Sequence, residues 1–160
     1  MRQIEDIRFI VDHNVGKLAK WLRMMGYDTL FFKGSDDSGL IATALSEDRI
    51  ILTKDTGIAE RRLVTRGRLT TVLLTSDEPV LQIKQVIDKL NLDVYFKPFS
   101  ICLECNQELM ERSGEQVRER VPPYVFKIQN HYMECSNCQR IYWRGTHWQA
   151  MERKLAMFSE

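Results

Sequence analysis

Two sets of residues in this chain have the types and spacing to do chemistry: a series of aspartates in the first half and four cysteines in the second. The aspartates each follow a short apolar run. Asp12 ends Phe9-Ile10-Val11, Asp36 or Asp37 follows Thr29 to Phe32, Asp55 follows Ile50 to Thr53, and Asp77 follows Thr71 to Leu74, four in all. Carboxylates converging in one cleft repel one another unless a cation joins them, and the hard cations Mg²⁺ and Mn²⁺ prefer oxygen ligands. Ions held this way activate water and stabilise the leaving oxygen in phosphoryl transfer, so a phosphodiester in RNA or DNA is the natural substrate. Taken singly, each aspartate also reads as a helix cap at the positive end of a helix dipole. Ser38 and Ser76 can cap in their place, and four acids in series favour a metal site.

The cysteines fall as Cys102-x-x-Cys105 and, about 30 residues later, Cys135-x-x-Cys138. Two such knuckles make a tetrahedral four-thiolate Zn²⁺ site. A site closed by four protein ligands has no open position, so its zinc folds the module and does not catalyse. His131 and His147 are then spare.

The elements that must position these residues follow from periodicity. Phe9 to Val11 is consecutive, apolar and β-prone, as in a strand buried on both faces. Val15, Leu18, Ala19, Leu22 and Met25 then recur at helical spacing, and Gly26 ends the helix. The same rhythm predicts strands over Thr29 to Phe32, Arg49 to Thr53 and Thr71 to Leu74. Helices are predicted over Leu40 to Leu45, Ile58 to Arg66 and from Val80 to Leu90. Four strand-to-helix units in series imply right-handed crossovers and an α/β fold, a parallel sheet sandwiched by helices with its acids on one edge. The rhythm stops near Asp93 to Pro98, dividing the chain into a first domain over residues 1–96 and a small four-cysteine module with a C-terminal helix over 97–160. Within the latter, Arg118 to Tyr124 reads as a loop and Trp148 to Met157 as the final helix.

A formal net charge of +1 gives no global case for nucleic acid, so any such case rests on local patches. Lys17, Lys20 and Trp21, with Arg23 nearby, share the polar side of the first helix; Arg61, Arg62, Arg66 and Arg68 crowd a second region. In the stretch QRIYWRGTHW, Trp143 and Arg144 lie among Arg140, Tyr142, His147 and Trp148, offering stacking faces and phosphate contacts suited to single-stranded RNA. Solvated helix faces, and packing of a small zinc module, are the plainer readings of the same residues.

Other chemistries fit poorly. His13 adjoins Asp12, but no serine or cysteine elbow accompanies it. Val15-Gly16-Lys17-Leu18 lacks the preceding glycine and following hydroxyl of a phosphate loop. No apolar run reaches membrane-spanning length and nothing reads as a signal peptide, so a cytoplasmic protein with reduced or metal-bound cysteines is expected. No sequence feature addresses the oligomeric state.

Four stretches, FIVDHNVGKLAKWLRMMGYDT, RIILTKD, the CLEC and CSNC pair, and IYWRGTHW, resemble the Mut-seven C-terminal RNase domain family, a PIN-like nuclease domain followed by a zinc ribbon. The resemblance runs from Arg8 to about Leu155. It implies a PIN-like fold and metal-dependent ribonuclease activity on RNA, with the strand-end acids Asp12, Asp37 and Asp55, and Asp77 beside them, as ligands of Mg²⁺ or Mn²⁺. Asp36 stands as the alternative to Asp37. PIN nucleases also carry a glutamate on an early helix, and no acid occurs between His13 and Met25. The competing expectations are a non-catalytic RNA- or ribosome-binding factor that keeps the ribbon, and a receiver-like switch phosphorylated at Asp55.

Overall fold

Phe9–Val11 (β1) has no exposed residue because it lies inside a sheet covered on both sides. The computed structural model describes residues 6–34, 36–61 and 66–158. Thr29–Phe31 (β2), Ile50–Thr53 (β3) and Thr71–Leu73 (β4) join β1 in a parallel sheet of order β2-β1-β3-β4. Val11 lies opposite Phe31 on one side and Leu52 on the other, and Leu52 lies opposite Val72. Alternation along the strands sorts the core. Phe9, Val11, Ile50, Leu52 and Val72 pack with Leu18 and Leu22 of α1 (Leu18–Met24) and with Ile83 and Val86 of α4 (Pro79–Leu90). Ile10 and Ile51 face the other way, onto Leu40, Ile41 and Ala44 of α2 (Asp37–Glu47) and Ile58 of α3 (Thr56–Ala59). The sandwiched parallel sheet is as the sequence implies.

Two boundaries differ. Helix α2 is longer than its apolar core because Asp36 caps it from outside, accepting from the Ser38 N–H at 2.9 Å. The helix expected from Ile58 to Arg66 begins earlier among the described residues, as Thr56–Ala59, where the Arg61 N–H meets the Ile58 carbonyl at 3.1 Å; residues 62–65, Arg62 included, lie outside the described residues.

In the second half, Leu109–Arg112 (β5), Tyr132–Cys135 (β6) and Ile141–Tyr142 (β7) form an antiparallel sheet of order β5-β6-β7. The segment read as a loop from Arg118 to Tyr124 instead holds a 3-10 turn, Arg118–Arg120, and the start of α6 (Pro123–Ile128). Pro123 suits that first position, where an N–H has no intrahelical partner to lose. Between β5 and this turn, α5 (Gly114–Val117) is closed by a reciprocal capping box from Ser113 and Gln116.

The two modules share a core. Trp148, Met151 and Leu155 of α7 (Thr146–Ala156), together with Phe99 and Leu103, join the cluster that holds β1, α1 and α4. Their seam includes Gly26, held at φ +97 with its missing side chain replaced by the backbone of Lys97, where a Cβ would meet the carbonyl oxygen at 2.4 Å. No helix among the described residues is long and apolar enough to cross a membrane.

Candidate functional site

The chain runs from β1 to β2 on one side and then to β3 on the other, so the carboxyl ends of β1 and β3 flank the point where strand order reverses. Crevices at such points are where open α/β sheets bind ligands. Asp12 and Asp55 stand there. The Asp12 N–H continues the ladder onto the Leu52 carbonyl, placing Asp12 beside Thr53. Asp12 is buried, and its two oxygens are taken separately: Oδ1 accepts from the His13 N–H at 2.8 Å and lies 3.0 Å from His13 Nδ1, while Oδ2 accepts from the Thr53 hydroxyl at 2.8 Å. Thr53 Oγ1 in turn accepts from the Asp55 N–H at 3.0 Å. One buried hydroxyl therefore ties both acids together. Asp55 is half-buried and caps α3, its Oδ1 accepting from the Gly57 N–H at 2.8 Å.

Thr53 is the residue that sequence reasoning passes over. Its only signal is a β-branched hydroxyl as the last residue of RIILT, and its importance appears only in the strand register.

The other acids differ. Asp37 is half-buried in the first turn of α2, which follows β2 at the same edge of the sheet, whereas Asp36 is exposed and serves as the cap. Asp77 is exposed and ion-paired with Lys54. Among the described residues, no three acids bring their ligand oxygens within 4.8 Å of one another; the four cysteines alone form such a group. Lys17 is exposed at the start of α1, Lys20 pairs with Glu104 at 2.9 Å, and Arg61 is exposed just beyond α3. Arg23, expected near a basic surface, is buried instead. It donates to the Thr29 carbonyl at 3.0 Å and to the Leu103 carbonyl at 2.7 Å, because the knuckle sits against the side of α1 that the sequence leaves polar. Burial works against the Arg23 charge and lowers its pKa, while Cys102, Glu104, Cys105 and Asp28 around it support the charge.

The sulfur atoms of Cys102, Cys105, Cys135 and Cys138 lie within 4.8 Å of one another, with the first and third fully buried. That donor set fits a tetrahedral Zn²⁺ ion. Burial pushes the Cys102 thiol up, but the Tyr142 hydroxyl at 3.2 Å and the backbone N–H groups of Cys105 and Glu104 outweigh it and bring the thiol down to about 7. Donors already aimed at sulfur prepare it for the thiolate form that a metal needs. The first knuckle is also fastened to the other module. Asn106, at φ 62 just past Cys105, accepts from the Thr29 N–H at 2.9 Å and donates to Asp28 at 2.6 Å.

A model of the Mut7-C RNAse domain matches residues 7–155. The chain belongs to the Mut7-C RNase domain family. Among curated proteins none matches it. The family is a nuclease family by its description, and the match spans both the acid edge and the cysteine cluster, so both modules are parts of one Mut7-C unit. Within that unit the aromatic stretch has mainly a packing role. Trp148 is buried with its ring 4.2 Å from that of Phe99, and Tyr142 holds the knuckle through Cys102 and the Leu103 N–H. Trp143 is half-buried against the cluster of Val117, Val121, Val125 and Tyr132. Arg144 is half-exposed, 5.4 Å over the Phe99 ring and 3.9 Å from Glu152.

Proposed function

We propose that this Mut7-C chain is a ribonuclease that hydrolyses RNA phosphodiester bonds with Mg²⁺ or Mn²⁺ held by Asp12 and Asp55. The observation that carries the reading is the Thr53 hydroxyl, which donates to the Asp12 carboxylate and accepts from the backbone N–H of Asp55 at the reversal of strand order. Carboxylate oxygens are the donors these cations prefer, and Mg²⁺ commonly uses one or two carboxylates while water and substrate phosphate complete its shell. Two acids held by the protein, Asp12 buried and Asp55 half-buried, suit that habit. A bound ion supplies an activated water and charge stabilisation at the leaving oxygen. Asp12 and Asp55 hold and orient; Asp37, at the start of α2, completes the shell or takes the proton from water; Asp77, paired with Lys54, assists at the rim. Lys17, Lys20, Arg61 and Arg62 contact phosphates. Trp143 and Arg144 of the zinc ribbon help to hold single-stranded RNA, and the four thiolates keep a structural Zn²⁺. A reducing, cytoplasmic setting suits those thiols.

The test is cleavage of end-labelled single-stranded RNA by zinc-loaded protein in Mn²⁺, in Mg²⁺ and without either, beside Asp12→Asn and Asp55→Asn. Cleavage should require the divalent ion and fall at least about 100-fold in each variant. Equal cutting by all three proteins would mark the activity as a contaminant. If none cuts and all bind RNA, the chain is a binding factor, the reading favoured by the absence of an acid between His13 and Met25.

A further inference from the structure

Along edge strand β2, the sheet, α1, the first knuckle and α7 enclose an open groove of about 1300 Å³. At one end it is lined by Gly16, Lys17, Phe31 and Lys33, which follow β1 and close β2 at the carboxyl edge of the sheet, where Asp12 lies. A Cβ on Gly16 would meet the Phe31 ring at 2.6 Å, so a side chain there would have to displace that ring. Cys105, Gln107 and Asn137 of the two knuckles and Lys154 of α7 line it as well. Both modules thus line one groove, and they are fastened to each other there by the bonds from Arg23 to Leu103 and from Asn106 to Asp28.

The charge in this groove does not follow the near-neutral chain. Its acids are already answered: Glu104 by Lys20, and Asp28 by Arg49 and Asn106. Lys17, Lys33 and Lys154 are exposed and have no ion-pair partner among the described residues. Three ammonium groups without a described ion-pair partner, spread over two modules, suit a chain of phosphates better than one compact anion. Trp21 and His147 in the same lining offer planar faces, and Gln107 offers its amide and Asn137 its amide oxygen, the Asn137 Nδ2 donating to Cys105 Sγ at 3.2 Å. Lysines, rings and amides interleaved along an open groove are the means by which proteins hold unpaired nucleotides.

We infer that a single strand of RNA lies along this groove from the carboxyl edge of the sheet to the zinc knuckles. Lys17 and Lys33 hold phosphates beside the acid centre, and Lys154, with Asn137 and Gln107, holds nucleotides several places away. The inference rests on the ribonuclease reading for its choice of polymer. It goes further in making the ribbon and α7 one wall of the substrate track, so that affinity depends on strand length and on Lys33 and Lys154, which lie far apart in sequence.

The test is fluorescence anisotropy with labelled single-stranded RNA on full-length, zinc-loaded Asp12→Asn protein, which removes cutting from the readout. Strands of about 4 and about 12 nucleotides bracket a single-strand site. The longer should bind at least about tenfold more tightly, and Lys33→Glu and Lys154→Glu should each weaken it about tenfold, while Lys127→Glu on α6, outside the groove, changes it less than about twofold. If Lys17→Glu weakens binding but Lys154→Glu does not, the strand never reaches the ribbon; the track is then wrong and the nuclease reading stands. If a duplex of equal length competes as well as the single strand, the inference fails. If no variant nor the parent binds RNA, both readings fail together.

Discussion

The four thiols and the acids at the carboxyl edge of the sheet are both candidate metal sites, and they differ in how far the protein alone assembles them. The thiols already lie within ligating distance of one another, two of them buried, with N–H and O–H donors aimed at sulfur. At the acid edge, among the described residues, Thr53 ties the Asp12 carboxylate to the backbone of Asp55, and part of the two acids' oxygen capacity goes to the local N–H groups of His13 and Gly57. A structural zinc site must be complete before anything binds, because its ion helps to fold the chain. A hydrolytic site must leave positions for water and phosphate. On the proposed reading, the contrast is what a folding ion and a reacting ion would each require of their ligands.

Breaking the complete site should have the largest effect. Cys102→Ser, or removal of zinc, should unfold the ribbon, since structural zinc is worth about 10 kcal/mol or more to such modules. Because Phe99, Leu103, Trp148 and Leu155 share the core of the first module, the loss should lower the melting temperature of the whole chain. Calorimetry with zinc counting checks this, and a first-module transition that stays put would contradict it. Arg23→Met tests the joint between the two sites. It strands the buried Thr29 and Leu103 carbonyls and should cost about 2–4 kcal/mol in denaturant unfolding.

Thr53→Val sharpens the other side of the comparison. It keeps the shape of the strand while deleting the hydroxyl between Asp12 and Asp55, so cleavage should fall about 10- to 100-fold. A rate within twofold of the parent, about 0.4 kcal/mol, would show that the link does not position the acids. A smaller, pH-dependent effect belongs to Glu134, next to Cys135. Hydrogen bonds from Arg120 and Arg112 hold its carboxyl below the ordinary 4.5. A depressed folded-state pKa contributes stability that is present above the unfolded value and lost as pH falls through the folded one. Stability should therefore decline as pH drops below about 4.5, and Glu134→Gln should flatten that limb in acid titrations followed by circular dichroism. The smallest change is expected for Lys20→Ala, whose exposed pair with Glu104 should be worth less than about 1 kcal/mol.

The same contrast explains what was legible in the sequence. Knuckle spacing is local, so CLEC and CSNC announced their cluster directly. Consecutive apolar runs such as Phe9 to Val11 and Ile50 to Leu52 likewise announced buried strands, and helical spacing announced α1 and α4. Relations that arise only on folding were hidden. Thr53 matters through a register that sets it opposite Asp12, Arg23 is buried only because a knuckle packs on α1, and Trp148 became core because α7 returns to the first module. The aspartates lay between these cases. Their sequence positions foretold strand ends, but caps, ion pairs and metal ligands share those positions; Asp12, Asp36 and Asp55 all cap, and the fold adds only that Thr53 links the first to the last while Asp77 pairs with Lys54.

The central claim is that Asp12 and Asp55 hold one divalent ion at the point where strand order reverses. Electron paramagnetic resonance of Mn²⁺ titrated into zinc-loaded protein, with single-stranded RNA bearing a non-cleavable backbone, tests it most directly. The account predicts bound Mn²⁺ in the parent that is lost in both Asp12→Asn and Asp55→Asn and kept in Lys127→Glu. Equal Mn²⁺ binding by parent and both aspartate variants, or none by the parent, would contradict it.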